Sequence, residues 1–562
     1  MNVASVIFIF GAVALAVGCS DGNSGAGAGT GGTAAGTSGS SGSAGSSGAS
    51  DRTGTGGSAG AGSTGTGQGG SAGNAGAVTG IDAGEASTGP GGSSTGTGGA
   101  PNAGNRDAGG PSIGSEGGAV PEGGRGGGTA ADAGDGGRPV DDAGLSVPWD
   151  WAGVAGTGQS LAVGQAGVPV KATTQPYGNL KMSTGTAAWP LDPNDTSFRM
   201  VPLVEPIGRL STAFPSSYPT NIAGETPHTA MADQITAMVR AAGRDYVGVH
   251  GEFGENGQCL SFLVKGAQQV GVNGHAYQGT IIETTAITRL ARAQNKTYGV
   301  GAITVTHGEC DAGNTLYEAQ LFQLWSDYNT DLRAITGQTQ SPVMIVSQQN
   351  SINDRSASTL AQWRIGVDHA ASVVCSGPKY QYPYSSADFV HLITDGYEQL
   401  GEKYGQVYYE RVVLGHPWQP LQPTTVERSG QIITVHFHVP VPPLVWDTVL
   451  PQPNRTVAAW SAGKGFEVRA GNNPVTITSV AIAGDAVQVT FAGSLPAAGV
   501  VVGYAMTAAQ TTQGAQVTDG AGALLWNGTF RWGQLRDSDP FVGSVTRRAQ
   551  PNYAVAFEMA VP

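Results

Sequence analysis

Residues 20–147 constrain the fold of this 562-residue chain more than any other stretch. As far as about Gly144 they are Gly, Ser, Ala and Thr with scattered Asp and almost no large apolar side chains. Such a segment buries too little surface to offset the entropy of ordering its backbone, so we expect a disordered linker. As a flexible coil of about 125 residues it has an r.m.s. reach of roughly 60 Å. Folded structure must therefore come from the residues that follow.

The first 19 residues look like an export signal. Val3 to Val17 form an apolar run of signal-peptide length, too short for a comfortable membrane span. The run ends Leu15-Ala16-Val17-Gly18-Cys19, which resembles the lipobox of bacterial lipoproteins. That resemblance implies a lipidated Cys19, a tethering role for residues 20–147, and an exported protein anchored by its lipid to a membrane of the bacterial cell envelope. The alternative is an ordinary secretory signal with a stray cysteine.

Residues 148–430 alternate apolar runs with helical periodicity. Strands are predicted at 246–250, 301–305 and 343–346, and helices at 229–242, 280–294, 315–335 and 358–371. Strands that alternate with helices predict an α/β domain with a parallel sheet and helices on both faces. Active sites in such sheets lie beyond the carboxyl ends of the strands.

Residues 431–562 have an all-β character. Strands are predicted at 432–439, 476–483, 486–491 and 500–505, and Gly484-Asp485 is a hairpin turn signal. We interpret this region as a β-sandwich-like domain. Its polar segment 531–540 is expected on the surface or against the first domain.

Charge and cysteine content restrict the partners and the cross-links. The net charge is −13, which argues against nucleic acid, because phosphate binding needs a basic footprint. With Cys19 lipidated, Cys259, Cys310 and Cys375 remain, which allows at most one disulfide. A bridge between Cys259 and Cys310 is possible, but the sequence does not establish it.

A glycine-rich turn, Gly158-Gln159-Ser160, presents one serine after a weakly marked strand. A serine hydroxyl is a poor nucleophile without an adjacent base and oxyanion donors. Two downstream segments offer partners, one beginning at His307 and the other running from Asp388 to His391. Taken singly, Ser160 is more often a plain turn residue, and an Asp-x-x-His segment is more often a helix cap with a surface histidine.

Taken together, four short segments resemble, in order, the four blocks of SGNH hydrolases. The resemblance is to the sialate O-acetylesterase-like and acetylxylan-esterase-like branch, whose first block reads GQS and whose third contains GESD. It implies a flavodoxin-like three-layer domain. The segments are Gly158-Gln159-Ser160, Gly254-Glu255-Asn256-Gly257-Gln258, His307-Gly308-Glu309-Cys310-Asp311 and Asp388-Phe389-Val390-His391.

The same resemblance implies roles for single residues. Ser160 matches the nucleophile, His391 the general base, and Asp388 the acid that orients the imidazole. For the oxyanion hole it implies the Ser160 amide, the Gly257 amide, with Gly254 as the alternative, and a side chain of the third block. Cys310 stands where the common pattern has asparagine. In the esterase branch a glutamine just before Gly-Glu supplies an amide, and His307 holds that place here, so the resemblance makes it the candidate donor, set against a packing role.

The expected function is hydrolysis of an ester, an O-acetyl group on a carbohydrate, through an acyl-serine, with neither cofactor nor metal. One alternative is a surface carbohydrate-binding or adhesion lipoprotein on an inactive hydrolase fold, and another is a lipase or thioesterase. The tyrosines of segment 380–384 either stack on a sugar or pack. His436 and His438 share a strand face that is more often simply exposed than metal-binding.

Overall fold

The computed structural model describes residues 144–211, 216–453, 456–511 and 515–562. The predicted signal peptide, Cys19 and nearly all of the predicted linker lie outside these residues. The first part of the described chain is built from strands β1 (Trp151–Gly158), β2 (Leu180–Ser183), β3 (Arg199–Pro202), β4 (Gly248–Glu252), β5 (Tyr298–Thr306), β6 (Val343–Val346) and β7 (Val373–Cys375) and helices α1 (Pro227–Ala241), α2 (Ala276–Ala293), α3 (Tyr317–Thr336), α4 (Ala357–Asp368) and α5 (Thr394–Tyr408).

The seven strands form one mixed sheet in the order β3-β2-β4-β1-β5-β6-β7. Only β3 runs antiparallel to its neighbour, so the α/β class predicted from the sequence is confirmed. The strands β4, β1, β5, β6 and β7 follow the doubly wound order 2-1-3-4-5, whose direction reverses beside β1. A crevice is therefore expected where β1 and β5 end.

Alternate side chains of the central strands enter two separate hydrophobic cores. Val154 of β1 and Ala302 of β5 lie in one core with residues of α1 and α5. Their neighbours Ala155 and Ile303 lie in the other with residues of α2 and α3. Successive side chains of a strand point to opposite faces, so the sheet is the middle of three layers.

Close packing between α1 and α5 fixes the start of α5. A Cβ added to Gly401 would lie 2.1 Å from the carbonyl oxygen of Pro227, and one added to Gly405 would lie 2.7 Å from Cβ of Gln234. These glycines share a face of α5 because they are four residues apart. They let the two helix backbones approach, which holds the loop before α5 in place.

The remaining strands build antiparallel sheets. They are β8 (Gln422–Ser429), β9 (Ile432–His438), β10 (Val445–Trp446), β11 (Phe466–Ala470), β12 (Asn473–Val475), β13 (Ile477–Ala483), β14 (Ala486–Phe491), β15 (Val500–Tyr504), β16 (Gln516–Thr518), β17 (Leu524–Asn527), β18 (Leu535–Arg536) and β19 (Phe557–Val561). Two of the sheets have four strands, in the orders β13-β14-β9-β8 and β12-β11-β15-β19.

Aromatic side chains join the two four-stranded sheets. The ring of Phe437 on β9 packs edge-on against Phe466 on β11 and Phe557 on β19. Since β8 and β9 pair through a turn at Gly430, the all-β part begins at β8, and the boundary predicted at residue 430 falls inside this hairpin. In the polar segment 531–540, Arg531 is buried and donates to the carbonyl of Asn353 in the first part of the chain.

No helix among the described residues is both long enough and apolar enough to cross a membrane.

Candidate active site

Ser160 lies just beyond the carboxyl end of β1, at the predicted crevice. Gly158 ends the strand with a φ of 150°, and a Cβ at this position would lie 2.1 Å from the carbonyl oxygen of Thr306 on β5. The backbone N–H of Gln159 donates to the same Thr306 carbonyl at 3.2 Å. The backbone N–H of Gln165 closes the turn by donating to the carbonyl of Ser160 at 2.9 Å. Glycine at 158 is therefore required for the chain to turn here and present the serine.

The loop before α5 carries Asp388 and His391. One carboxylate oxygen of Asp388, Oδ1, accepts from the backbone N–H groups of Val390 at 2.9 Å and His391 at 3.1 Å. Phe389 between them has a φ of 55°, in the left-handed region, and its ring is buried. Asp388 thus folds its own loop and keeps the second oxygen, Oδ2, free for another partner.

That second oxygen belongs to a chain of two hydrogen bonds. Nδ1 of His391 donates to Oδ2 of Asp388 at 2.7 Å, and the hydroxyl of Ser160 donates to Nε2 of His391 at 2.8 Å. Ser160 is 5% exposed. The three side chains are thus arranged so that a proton can leave the serine oxygen for the imidazole while a carboxylate faces the opposite ring nitrogen.

The surroundings favour an ionised Asp388. Burial acts to raise the pKa of Asp388, but the hydrogen bond and the charge of His391 outweigh it, and the pKa lies below its ordinary value. An ionised carboxylate at this place stabilises a positive charge on the imidazole.

The backbone N–H groups around the Ser160 hydroxyl differ in whether another described residue occupies them. The loop after β4 reaches the serine turn, since the Glu255 amide donates to the carbonyl of Gly158 at 2.9 Å. In this loop the Gly254 N–H is taken by Oε1 of Glu252 at 2.6 Å. Among the described residues the N–H groups of Ser160 and Gly257 form no hydrogen bond. Of the two glycines weighed from the sequence, Gly257 is thus the one whose amide is available.

His307 is placed differently from the expectation of an oxyanion donor. Its Nε2–H donates to the carbonyl of Gln258 at 3.0 Å, and its Nδ1 accepts from the hydroxyl of Tyr317 at 2.7 Å. The ring is fully buried, and burial lowers the pKa of His307, although Asp311 opposes this. Both ring nitrogens are occupied, so the structure favours the packing alternative: His307 ties the loop after β4 to α3.

A buried pair behind β1 was not anticipated from the sequence. Nε2 of His228 lies 3.0 Å from Oε2 of Glu252, whose other oxygen holds Gly254. A Cβ on Gly156 would lie 2.1 Å from that imidazole nitrogen. The glycines of β1 were the available signal, because a glycine on a buried strand often marks a close approach by another group.

Two further expectations concern neighbouring segments. Cys259 and Cys310 are joined by a disulfide, and the Cys310 amide donates to Oε1 of Gln159 at 3.2 Å. The bridge thus ties the loops after β4 and β5 together beside the serine turn. Cys375 is a buried free thiol, and burial raises its pKa to about 12.

The sequence left two roles open for the tyrosines of segment 380–384, stacking on a sugar or packing. All three, Tyr380, Tyr382 and Tyr384, are buried, with 2% or less of each residue exposed. The Tyr380 hydroxyl donates to the carbonyl of Ala554 at 2.8 Å. These rings pack, and the sugar-stacking alternative is wrong. Within the ranges that the structure describes, no three His, Cys, Asp or Glu side chains converge as a metal site.

No known family and no curated protein matches the sequence. Among solved structures, a carbohydrate acetylesterase from Xanthomonas citri matches 73% of this chain and 80% of its own, at 14% identity and a TM-score of 0.43. A protein from Arabidopsis thaliana matches 47% of this chain and 100% of its own, at 16% identity and a TM-score of 0.35. NanS matches 47% of this chain and 98% of its own, at 11% identity and a TM-score of 0.33. At these identities and TM-scores, function must be inferred from the site residues themselves.

Proposed function

We propose that this chain is a serine esterase of the SGNH type. The observation that carries the proposal is the pair of hydrogen bonds that joins Asp388 to His391 and His391 to Ser160, at 2.7 and 2.8 Å. A serine hydroxyl becomes nucleophilic when an adjacent imidazole can take its proton. The doubly wound strand order and the four sequence blocks around Ser160, Gly257, His307 and His391 support the family assignment.

The reaction begins when Oγ of Ser160 attacks the ester carbonyl carbon and its proton passes to Nε2 of His391. The carbonyl electron pair moves onto oxygen, and a tetrahedral oxyanion forms. When the carbonyl reforms, the C–O bond to the alcohol breaks, and His391 returns the proton to the leaving alcohol. The acyl group is then bound to Ser160 as an ester.

Water completes the cycle by the same steps in reverse. The water oxygen attacks the acyl carbon while His391 removes a proton from the water. His391 then returns that proton to Oγ of Ser160 as the bond from Oγ to the acyl carbon breaks. The carboxylic acid leaves and the free serine is restored. Asp388 stays ionised throughout, because it balances the positive charge of the imidazole whenever His391 carries the extra proton.

The developing oxyanion needs donors that are in position before the reaction. We assign this role to the backbone N–H groups of Ser160 and Gly257, which have no partner among the described residues. Gly257 has a φ of 75°, a conformation that glycine adopts without strain. His307 contributes indirectly by holding the carbonyl of Gln258, the residue after Gly257.

The substrate we propose is an O-acetyl ester on a carbohydrate. This proposal rests on the resemblance of two segments, Gly158-Gln159-Ser160 and the segment 307–311 around Glu309, to the first and third blocks of the carbohydrate-esterase branch. We further propose that Cys19 anchors the protein to a membrane of the bacterial envelope and that residues 20–147 tether the enzyme to it.

The test is hydrolysis of 4-nitrophenyl acetate by the full chain, compared with Ser160→Ala and with Ser479→Ala, an exposed serine on β13. We expect turnover in the wild type and in Ser479→Ala, and its loss by at least about a thousandfold in Ser160→Ala. A folded wild type without turnover would favour a carbohydrate-binding protein. Turnover that survives Ser160→Ala would require another nucleophile. Comparison of acetyl with long-chain acyl esters then tests the lipase alternative.

A further inference from the structure

A cavity of about 610 Å³ lies between α5 and the last segment of the chain. Its volume falls within the range of ligand-binding clefts, about 300–1,000 Å³. Its walls come from α5, from the turn between β16 and β17, and from residues 546–551. Ser160, Asp388 and His391 are not among its lining residues, so it is a second feature beside the candidate active site.

One face of α5 leads from the active site to this cavity. Asp395, Gln399 and Lys403 are spaced four residues apart and so share that face, and the last two line the cavity. At 1.5 Å per residue, Gln399 lies about 8 Å and Lys403 about 14 Å along the axis from the start of α5. His391 is three residues before that start. Arg548, another lining residue, approaches Asp395 to 4.0 Å. The cavity therefore begins about one and a half turns from the start of α5, the helix that follows His391.

Arg547 differs from the other two arginines that line the cavity. Nε of Arg536 donates to Oδ1 of Asp447 at 2.9 Å, and Arg548 lies 3.7 Å from Asp519. The guanidinium of Arg547, in contrast, forms no hydrogen bond or ion pair with any described residue. It is also exposed to solvent. An anionic group that enters the cavity would meet this guanidinium.

The segment that carries Arg547 is held rigidly in place. Glu402 of α5 is fully buried and accepts from the amides of Val545 and Thr546, each at 2.7 Å. A Cβ on Gly543 would lie 2.0 Å from the same carboxylate. Arg547 has a φ of 59°, a strained conformation that persists only where the surrounding structure enforces it.

Gln550 lines the cavity as well. Gln550 is 5% exposed and lines the cavity, and its Oε1 forms no hydrogen bond with a described residue. A buried polar atom without a partner is costly, but this oxygen is closed off from the cavity by the groups around it, so a ligand in the cavity does not reach it. The group that the cavity offers to a ligand is therefore the exposed guanidinium of Arg547, which suits an anion.

We propose that this cavity binds a carboxylate-bearing sugar unit of a polymeric substrate, such as a uronic acid, while the ester on a nearby unit reaches Ser160. The proposal deepens the esterase function proposed above and rests on it. A planar guanidinium pairs with a carboxylate through two parallel hydrogen bonds. The course of the chain from His391 through α5 to Lys403 favours an extended saccharide over a small free acid.

The test is calorimetric titration of the full chain with an ester-free tetrasaccharide of galacturonate, with neutral xylotetraose as the matched ligand. We expect the acidic ligand to bind more tightly than the neutral one. Arg547→Ala should weaken that binding by at least about tenfold, and Arg547→Lys should weaken it less, because the charge remains. Arg199→Ala, which removes an exposed arginine of β3, is the matched control and should bind as the wild type does.

Absence of binding in the wild type would overturn the proposal. So would equal affinity of the wild type and Arg547→Ala, or a neutral ligand that binds as tightly as the acidic one. The titration needs no turnover, so it separates the two proposals. A protein that binds galacturonate through Arg547 but hydrolyses no ester would contradict the esterase function while the binding site stands.

Discussion

Nε2 of His391 lies 2.8 Å from Oγ of Ser160, although 231 positions separate the two residues in the sequence. The contact is possible because Ser160 follows β1, and the loop that carries His391 runs from β7, which is parallel to β1 and so ends at the same edge of the sheet, to α5, which packs closely on α1. Each side chain is positioned by its own backbone turn. The predictions below test what this arrangement and its supports contribute.

Asp388→Asn tests whether the carboxylate does more than shape its loop. The asparagine oxygen can still accept from the amides of Val390 and His391, so the fold should persist. The amide cannot balance a charged imidazole, and it favours the wrong tautomer of His391. We expect kcat to fall by about a thousandfold or more with little change in melting temperature. A kcat within tenfold of the wild type would contradict a catalytic role for Asp388.

His307→Ala separates a structural role from that of an oxyanion donor. The change removes the hydrogen bonds to Gln258 and Tyr317 and leaves a cavity in a buried site. We expect the free energy of unfolding to drop by about 2–4 kcal/mol, measured in urea. The folded variant should keep kcat within about tenfold of the wild type, since loss of a true oxyanion donor costs about a hundredfold or more. A hundredfold loss with unchanged stability would restore His307 as a donor.

The disulfide between Cys259 and Cys310 closes a loop with a sequence separation of 51. In the chain-entropy account, a loop of this size stabilises the folded state by about 4 kcal/mol. We expect Cys259→Ser combined with Cys310→Ser to lower the free energy of unfolding by about that amount. A reducing agent should destabilise the wild type to the same extent and leave the double variant unchanged. Destabilisation of both proteins by the reductant would point to another cause.

Buried carboxyl groups near the site make stability depend on pH. Burial, and next the neighbouring Glu205, raise the pKa of Glu225 from 4.5 to about 8. The folded state thus holds this proton more tightly than the unfolded state does. The stabilisation is fully present below pH 4.5 and is lost as the pH rises through about 8. We therefore expect Glu225→Gln to lose less unfolding free energy than the wild type between pH 5 and 8.

The control for this pH series is Asp245→Asn, which changes an exposed carboxyl group between α1 and β4. Urea unfolding at several pH values should give the same pH dependence for Asp245→Asn and the wild type. A wild-type slope in Glu225→Gln would mean that Glu225 does not hold an extra proton in the folded state.

Several elements were predictable because their signals are local. The run 343–346 was predicted as a strand and forms β6 with the same bounds, since four apolar residues enter two cores between turns. The helix predicted at 229–242 is α1, Pro227–Ala241. Ser160, Asp388 and His391 were candidates from short motifs, whose spacing along the chain is a property of the sequence itself.

The sequence signal for strand β1 was weak because of residues that lie outside the strand. Gly153 leaves room for the hydroxyl of Tyr298, and Gly156 leaves room for His228 and Glu252. The most central strand of the sheet is therefore rich in small residues. Its periodicity carries little signal because larger side chains from neighbouring elements occupy the space around it.

The sequence by itself determined the classes of the two parts, the order of the elements and which residue types could do chemistry, because these follow from periodicity, composition and motif spacing. Only the tertiary structure decided that His307 bonds to Gln258 and Tyr317, that the tyrosines of 380–384 are buried, and that the Arg547 guanidinium pairs with none of the described residues. Those outcomes depend on contacts between segments far apart in the chain. Such contacts are set by how whole layers pack, and no local pattern encodes them.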